Sequence, residues 1–347
     1  MKRTTFSRPR IAIIVATIVG LVIFFASRPK EHYIRISSIV WTTEYHITYK
    51  GNCDMTDSIN AVFNAIDSTL SMFNPNSVIS RINAGDDDVA PNPFVNTLLS
   101  CSQRINHQTD GYFDPSVAPL VNLWGFGKQK SDSLPSDDAI ARALQLVGID
   151  KISIDSSGKV LKQHPDMVLD FSSIAKGFAA DQIGTMFQRN GIDNYIVEIG
   201  GEIAMHGKNP SGKLWNVSID LPIEANDTVI HQSAMVLSLT EKGVATSGNY
   251  RNYRTQDGQK IVHIINPKTG KPEISDLLSA TIIAPTAAEA DAYATACMAM
   301  GTKRSIQLVT RLQHIDAILI YTDKNGKLKI WSSPGLKKYF RNNSSES

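Results

Sequence analysis

The residues of this sequence that point most directly to chemistry are Asp291 and Thr295, in the segment Asp-Ala-Tyr-Ala-Thr-Ala. The segment is predicted to be helical, and side chains four residues apart share one face of an α-helix. A carboxylate and a hydroxyl are hard oxygen ligands of the kind that Mg²⁺ and phosphate-bound Mg²⁺ prefer. The alternative is an Asp at a helix N-terminus and a Thr packed within the helix. The pair alone leaves both interpretations open.

Several short polar segments between apolar stretches are further candidates, because loops on a rigid scaffold commonly carry function. They are residues 109–116, 169–177, 198–202, 245–250 and 263–270. In the second of them Asp170 ends a predicted strand, and Ser172 or Ser173 is expected to cap the next helix. Lys176 then lies in the first turn of that helix. Hydroxyls and a lysine at a helix N-terminus favour a phosphate site, and a capped helix with a surface lysine is the alternative.

Two other segments contain a residue type with a chemical use. His263 lies on a predicted strand before a Pro-x-x-Gly turn and is a candidate general base. A lone histidine is more often structural. Gly200 and Gly201 precede Glu202, and paired glycines permit either a close backbone approach or a simple tight turn.

The elements that must position these residues indicate an α+β fold with mixed or antiparallel sheets and packed helices. Apolar periodicity predicts helices over residues 54–73, 91–106, 135–148, 175–189, 287–300 and 303–312. Alternation and β-branched residues predict strands within 33–49, 160–169, 195–199, 215–219, 234–239, 261–265, 317–321 and 328–331. No linker divides the body, so residues 31–340 are predicted to form a single domain, followed by a polar tail over 341–347.

Composition narrows the class of protein. The 347 residues are 42% hydrophobic and 20% charged, which is typical of a globular chain. The net charge is +2 and no basic, aromatic-interleaved patch is present, so nucleic acid is not an expected partner. Cys53, Cys101 and Cys297 are widely spaced and form no Cys-x-x-Cys pair, which argues against a disulfide framework or a zinc site.

Residues 1–30 are predicted to be an N-terminal signal anchor or signal sequence. Basic residues flank an apolar run over 11–26, which would measure roughly 24 Å as a helix at 1.5 Å per residue. Cleavage after Ala26 would place the bulky Phe24 at position −3, so an uncleaved membrane anchor is favoured over a cleaved signal. More basic residues precede the run than follow it closely, which predicts that the body lies outside the cytoplasm, on the periplasmic side of the inner membrane.

The order of the polar segments resembles that of the ApbE family, the FAD:protein FMN transferases, over about two thirds of the chain, from residue 74 to residue 301. The matching segments are residues 77–83, 109–114 with 119–120 and 124–127, 170–177, 200–202, 245–250, 263–270 and 291–296. The resemblance implies an ApbE-like, T-fold-like architecture. It also implies Mg²⁺-dependent cleavage of FAD, with FMN joined by a phosphoester to a Thr or Ser of a partner protein and AMP released. Such phosphoryl transfer depends on positioning and charge neutralisation.

The resemblance also implies roles for individual residues. Asp291, Thr295 and an oxygen at Ser173 match the Mg²⁺ site, and Asp291 counts as catalytic through that site. The positions that match flavin-nucleotide contacts are Tyr112, Phe113, Asp114, Asp170, Lys176 and Ile265. His263 is the candidate for activating the incoming hydroxyl.

Some positions depart from the family pattern. Trp41 stands in the segment where a flavin-contacting Met is frequent, and Phe73 stands where a Tyr is common. A ring at position 73 preserves stacking but not a phenol hydrogen bond. Asn266 replaces a frequent Asp, and Ser172-Ser173 replaces a Gly-rich pair. Since the matched metal and lysine positions are intact, we expect an active enzyme.

The leading hypothesis is therefore a membrane-anchored FMN transferase that acts outside the cytoplasm on flavoprotein subunits of redox complexes. One alternative is a Mg²⁺-dependent FAD pyrophosphatase, in which water replaces the protein hydroxyl. Another is a flavin-binding protein without turnover.

Overall fold

A computed structural model describes residues 32–127, 134–221, 223–225, 228–230, 233–248, 253–256, 259–273 and 275–340. The predicted anchor over residues 1–30 and the predicted tail over 341–347 lie outside the described residues. Among the residues that are described, no helix is both long enough and apolar enough to cross a bilayer.

An eight-stranded sheet in which every neighbouring pair is antiparallel forms the centre of the fold. With strands numbered in chain order, the sheet runs β1 (Tyr33–Val40), β2 (Thr43–Lys50), β5 (Tyr195–Ile199), β6 (Glu202–His206), β11 (Lys242–Gly248), β14 (Leu277–Ala284), β15 (Asp316–Thr322) and β16 (Leu328–Ser332). The remaining strands form two-stranded pairs: β3 (Ile152–Ile154) with β4 (Val160–Lys162), β7 (Trp215–Asp220) with β10 (Ser233–Leu239), β8 (Ile223–Ala225) with β9 (Thr228–Ile230), and β12 (Tyr253–Gln256) with β13 (Gln259–Val262).

Helices cover one face of this sheet. The helices that pack in this layer are α1 (Thr56–Leu70), α2 (Val78–Asn83), α3 (Pro93–Gln108), α6 (Ala175–Arg189) and α7 (Ala287–Arg311), with a 3₁₀ turn at Ile149–Lys151. Helices α4 (Ala118–Leu123) and α5 (Asp137–Gln145) pack in a separate small core, and a second 3₁₀ turn at Pro334–Tyr339 packs on the opposite face. The strands β7 and β10 cover the other face. Adjacent residues of β14 show both layers, since Ile282 packs in the helical core and Ile283 in the core beneath β7 and β10.

The sequence predicted some elements well and missed others. The bounds of α6 and β5 are those predicted from residues 175–189 and 195–199. The two helices predicted over 287–300 and 303–312 are the halves of α7, which is interrupted by non-helical backbone at Gly301. β14 was not predicted, because nearly all of its residues are buried and it lacks the alternation that marks a strand with one exposed face.

Two local predictions are wrong. Neither serine caps α6, because its N-cap is Ile174 and makes no side-chain hydrogen bond. The Ser172 N–H and hydroxyl instead donate to Asp170 Oδ1. The strand predicted within residues 160–169 ends at Lys162. The Lys162 ammonium donates to the carbonyls of Asn83, Pro165 and Met167 and holds the following segment as a loop.

Candidate functional site

Helices α6 and α7 approach each other closely at their N-terminal ends. A Cβ atom on Gly177 would lie 2.2 Å from the Ala287 carbonyl oxygen, so the contact requires a glycine. The Gly177 N–H donates to Asp291 Oδ2 at 3.2 Å. Asp181, one turn further along α6, accepts hydrogen bonds from the Ala287 and Ala288 N–H groups and caps α7. The first turns of both helices are thereby fixed against each other.

Three charged side chains meet beside this crossing, and we refer to Lys176, Glu202 and Asp291 as the charge cluster. The Lys176 ammonium lies 2.5 Å from Glu202 Oε1. Asp291 is 3% exposed and Glu202 is 4% exposed, so both carboxylates are inside the protein. Lys176 comes from the first turn of α6, Asp291 from α7, and Glu202 from the first position of β6.

Burial and charge shift the pKa values of all three groups. Burial raises the pKa of Glu202, the Asp291 charge adds to that rise, and Lys176 opposes it. Burial likewise raises the pKa of Asp291, while Lys176 and the Gly177 N–H lower it. Burial alone would lower the pKa of Lys176, but the two carboxylates raise it. The groups therefore interact strongly, as is common at functional sites.

The charge cluster fits a cation. It holds two carboxylates and one ammonium, and buried charges are costly unless they are paired. Glu202 Oε2 is buried and has no hydrogen-bond partner among the described residues. The described chain offers no group of three or more His, Cys, Asp and Glu side chains suited to a metal. A cation here would thus rest on carboxylates together with uncharged oxygens, which is the donor type that Mg²⁺ accepts.

The other predicted metal ligands come from the two helices that meet at Gly177 and Ala287: Thr295 from α7, and Ser173 from the turn before α6. Thr295 is one turn beyond Asp291 on α7 and is partly buried. Ser173 belongs to the turn before α6, which is closed by a hydrogen bond from the Ile174 N–H to the Phe171 carbonyl. Both remain predictions as ligands.

The predicted flavin-contact loops are neighbours in space. The Asp170 N–H donates to the Pro115 carbonyl at 2.8 Å, which joins the Asp170 loop to the loop that carries Phe113 and Asp114. Phe113 is 1% exposed and belongs to the main core. The Asp114 carboxylate is also buried. It accepts hydrogen bonds from the Asn106 side-chain amide, from the N–H and hydroxyl of Ser116, and from the Ile149 N–H. In this structure both side chains organise the loop from within.

Tyr112, in contrast, lies between cationic side chains. The Lys268 ammonium lies 5.0 Å and the Arg304 guanidinium carbon 5.4 Å from the centre of its ring. Lys268 Nζ also donates to the Asp110 carbonyl at 3.2 Å, so the segment over 263–270 contacts the segment over 109–116. Two predicted functional segments are thereby brought together.

His263 follows the end of β13, and its ring lies 6.5 Å from that of Phe126, centre to centre. Ile265 is 5% exposed, forms a β-bridge with Pro272 and packs in a small core with Trp124. The Trp124 indole N–H donates to the Gly270 carbonyl at 2.7 Å, which anchors the predicted Pro-x-x-Gly turn.

Trp41 and Phe73, which are among the positions that depart from the family pattern, lie in different surroundings. Trp41 is in the tight β1–β2 turn with φ 49°, and its ring packs edge-on against Phe63 at 5.5 Å. The next strand begins with Thr43, which lies against Gly200. Phe73 is 79% exposed. Their predicted contacts with flavin stay predictions.

Glu202 was not among the site residues chosen from the sequence. A glutamate after two glycines is compatible with an ordinary turn, and nothing in its spacing relates it to Lys176 or Asp291. The feature of the sequence that points to a functional role for Glu202 is its position in the polar segment over residues 198–202.

The fold and the site define an α+β protein in which candidate cation-binding and phosphate-binding groups meet at the first turns of two helices. The ApbE family model matches residues 41–319, and the chain belongs to this family. The FAD:protein FMN transferase of Escherichia coli K12 is 32% identical over 302 residues, which is 84% of each chain. The flavin transferase ApbE from Vibrio cholerae superposes with a TM-score of 0.79 at 30% identity, over 89% of this chain and 100% of that one. The apo flavinyl transferase ApbE of Pseudomonas stutzeri gives a TM-score of 0.78 at 28% identity, over 89% of this chain and 97% of that one.

Proposed function

We propose that this protein is a flavin transferase that cleaves FAD and attaches FMN to a Thr or Ser hydroxyl of a partner protein. The acceptor oxygen forms a bond to the FMN phosphorus, the bond from that phosphorus to the AMP oxygen breaks, and the hydroxyl proton is released. The observation that carries the proposal is the charge cluster, present in a chain whose relatives are named for this reaction.

The chain's own residues serve this reaction mainly through charge and position. Lys176 supplies a cation at the start of α6, where backbone N–H groups also favour a phosphate. Asp291, Thr295 and an oxygen at Ser173 would hold Mg²⁺, which would offset charge on the pyrophosphate. The Gly177 N–H holds one Asp291 oxygen and thereby fixes the direction of the carboxylate.

His263 is the residue we assign to the acceptor proton. An imidazole has a pKa near neutrality and accepts a proton from a hydroxyl when the two groups are within hydrogen-bond reach. We assign a further set of residues to the flavin-nucleotide site, where they either contact the nucleotide or shape the loops around it. They are Trp41, Phe73, Tyr112, Phe113, Asp114, Asp170 and Ile265.

We further propose that the protein is anchored to the membrane through residues 1–30 and acts on the periplasmic side of the inner membrane. The apolar run over 11–26, with its stronger basic flank on the N-terminal side, supports this placement. The acceptors would be flavoprotein subunits of redox complexes.

The proposal is tested by incubating the full chain with FAD, Mg²⁺ and a Thr-containing acceptor protein. We expect fluorescent FMN on the acceptor and free AMP. Free FMN and AMP without labelled acceptor would indicate an FAD pyrophosphatase instead. Bound FAD without AMP would indicate a flavin-binding protein.

Asp291→Ala gives the first specific prediction. Loss of a metal-binding carboxylate removes several kcal/mol of charge stabilisation, so AMP release should fall by about a hundredfold or more. The control is Asp57→Ala, which removes an exposed aspartate from the first turn of α1 and should leave the rate unchanged. Normal Mg²⁺-dependent turnover by Asp291→Ala would show that the cation site lies elsewhere.

A further inference from the structure

We propose that Glu202 is a positioning residue that holds the Lys176 ammonium and so keeps the Asp291 carboxylate available to a cation. The proposal rests on the proposed function for the identity of the cation. It assigns to Glu202 a role distinct from those of the metal and phosphate ligands.

The two carboxylates of the charge cluster compete for one ammonium. Glu202 Oε1 takes it at 2.5 Å, and the Asp291 charge acts on the same lysine. The hydrogen bond that Asp291 accepts comes from the uncharged Gly177 N–H at 3.2 Å. An ammonium paired directly with Asp291 would occupy and neutralise the oxygens that a metal needs. The geometry therefore separates the lysine from the metal-binding carboxylate.

The backbone around Glu202 is built to hold this position. Gly200 and Gly201 both have positive φ angles, 64° and 103°, and turn the chain directly into β6. The Gly200 N–H donates to the Glu44 carbonyl at 2.9 Å, so the turn is fixed to the neighbouring β1–β2 hairpin. The Glu202 side chain is 5% exposed and that of Lys176 is 34% exposed. A buried acid thus holds a more exposed base.

Glu202 also has hydrogen-bonding capacity that its ion pair with Lys176 does not use. Its Oε2 atom is buried without a hydrogen-bond partner in the part of the chain that the structure describes. Buried polar atoms are nearly always paired in native proteins, and an exception needs an explanation such as a ligand. Outer groups that orient metal ligands are a common feature of metal sites. The unpartnered oxygen of Glu202 therefore keeps the capacity to accept a hydrogen bond from a bound ligand, while its other oxygen holds Lys176.

The decisive variant is Glu202→Asp, which preserves the charge but shortens the side chain by one methylene and withdraws it from Lys176. We expect Lys176 to turn to Asp291 and the affinity for Mn²⁺, used as a paramagnetic substitute for Mg²⁺, to fall about tenfold. The measurement is electron paramagnetic resonance of free Mn²⁺ with the full chain, in the absence of FAD and acceptor. An effect of net charge alone would leave Glu202→Asp at the wild-type affinity.

Adding Lys176→Met to Glu202→Asp removes the ammonium that would occupy Asp291. We expect Mn²⁺ affinity to return to the wild-type value or above it, a coupling that a double-mutant cycle isolates. Glu198→Asp, on the adjacent strand β5, is the matched control and should bind Mn²⁺ like the wild type. If Glu202→Asp does not fold, as judged by circular dichroism, Glu202→Gln with and without Lys176→Met replaces it, and rescue of affinity is again expected.

The proposal is overturned if Glu202→Asp binds Mn²⁺ like the wild type, if Lys176→Met fails to restore affinity, or if the wild type binds no Mn²⁺. These results are independent of flavin transfer. Weakened and rescued Mn²⁺ binding in a protein that does not cleave FAD would support the role of Glu202 and reject the proposed function. If the wild type transfers flavin and Glu202→Asp has no effect on Mn²⁺ affinity, the proposed function is supported and the role of Glu202 is rejected.

Discussion

Acidic side chains inside this protein differ in how fully their oxygens are satisfied. Both oxygens of Asp114 accept hydrogen bonds from Asn106, Ser116 and Ile149 groups, as expected of a structural carboxylate. Asp291 has the Gly177 N–H, and Glu202 has Lys176 and one oxygen without a partner within the described chain. Glu289 likewise has a buried Oε2 atom without a partner in the described chain, so the case for a ligand at Glu202 rests on its free oxygen together with the charges of Lys176 and Asp291 beside it.

The raised pKa of Asp181 predicts how the stability of the protein depends on pH. Burial raises its pKa to about 7, although the Ala287 and Ala288 N–H groups oppose the rise and the charges of Glu289 and Asp291 add to it. The folded protein thus holds this proton more tightly than the unfolded chain between about pH 4 and 7. The contribution to stability is full at the acidic end of this window and is lost as the pH rises through 7.

Asp181→Asn should remove this dependence. The free energy of unfolding of the wild type, relative to the variant, should fall by about 1 kcal/mol or more between pH 5 and pH 8, since each pH unit of differential protonation is worth at most about 1.4 kcal/mol. Urea denaturation at both values measures it. A difference that is constant or that grows with pH would contradict the prediction.

Of the three residues in the charge cluster, the sequence identified Asp291 and Lys176 but not Glu202. The first two have a signal in local spacing, one on a helix with Thr295 and the other in the first turn of a helix. Glu202 acquires its role from strand pairing that places β6 beside α6 and α7, and no local pattern records that contact.

At the scale of elements, the site depends on the contact between the first turns of α6 and α7. Gly177 allows the backbone of α7 to approach at Ala287, and the same residue donates to Asp291. The packing of two helices and the direction of one carboxylate are therefore set by a single position. This makes the helix crossing sensitive to a single methyl group.

Gly177→Ala should separate the two helices, because its Cβ would meet backbone rather than a movable side chain. Overpacking of this kind costs about 1–3 kcal/mol, which outweighs the gain in helix propensity of about 1 kcal/mol. The control is Gln188→Ala on the exposed part of α6, which should change stability by less than about 0.5 kcal/mol. Chemical denaturation distinguishes the two, and equal stability of both variants would reject the argument.

Sequence patterns predicted the elements that bury one face and leave the other at least partly exposed, or whose ends are marked by a clear change in residue type. β5 alternates between buried and partly buried positions, and its bounds were predicted correctly. β6 and β14 are buried on nearly every residue and were missed, because a strand covered on both faces carries no period of two. β11 was hidden for another reason, since its polar residues Thr246 and Ser247 were assigned to a functional segment.

Across the molecule as a whole, the two faces of the central sheet carry separate hydrophobic cores. The cysteines differ in how deeply they are buried. The three cysteines, all within the described part of the chain, are free thiols. Cys53 is exposed, Cys101 is partly buried and Cys297 is fully buried in the helical core. Burial raises the pKa of the Cys297 thiol to about 12.

Alkylation under native conditions should therefore modify Cys53 rapidly and leave Cys297 unmodified. Reaction at Cys297 needs both access and a thiolate, and global unfolding provides them together. Mass spectrometry of samples alkylated across a urea series should show Cys297 labelling that follows the unfolding transition, with Cys53 as the internal control. Labelling of Cys297 far below that transition would show that the helical core opens locally.

The order of strands in the sheet also bears on how the chain reaches this structure. β1 and β2 form a local hairpin, but β2 also pairs with β5, with Tyr45 opposite Ile199, across α1 to α6. Contacts between residues so far apart in sequence slow folding, because a long loop must close before they form. The β1–β2 hairpin would emerge from the ribosome long before β5, its partner strand in the sheet, has been synthesised. Its free edge stays unpaired for that interval, so we expect the newly made chain to be most prone to pairing with other chains before β5 has been made.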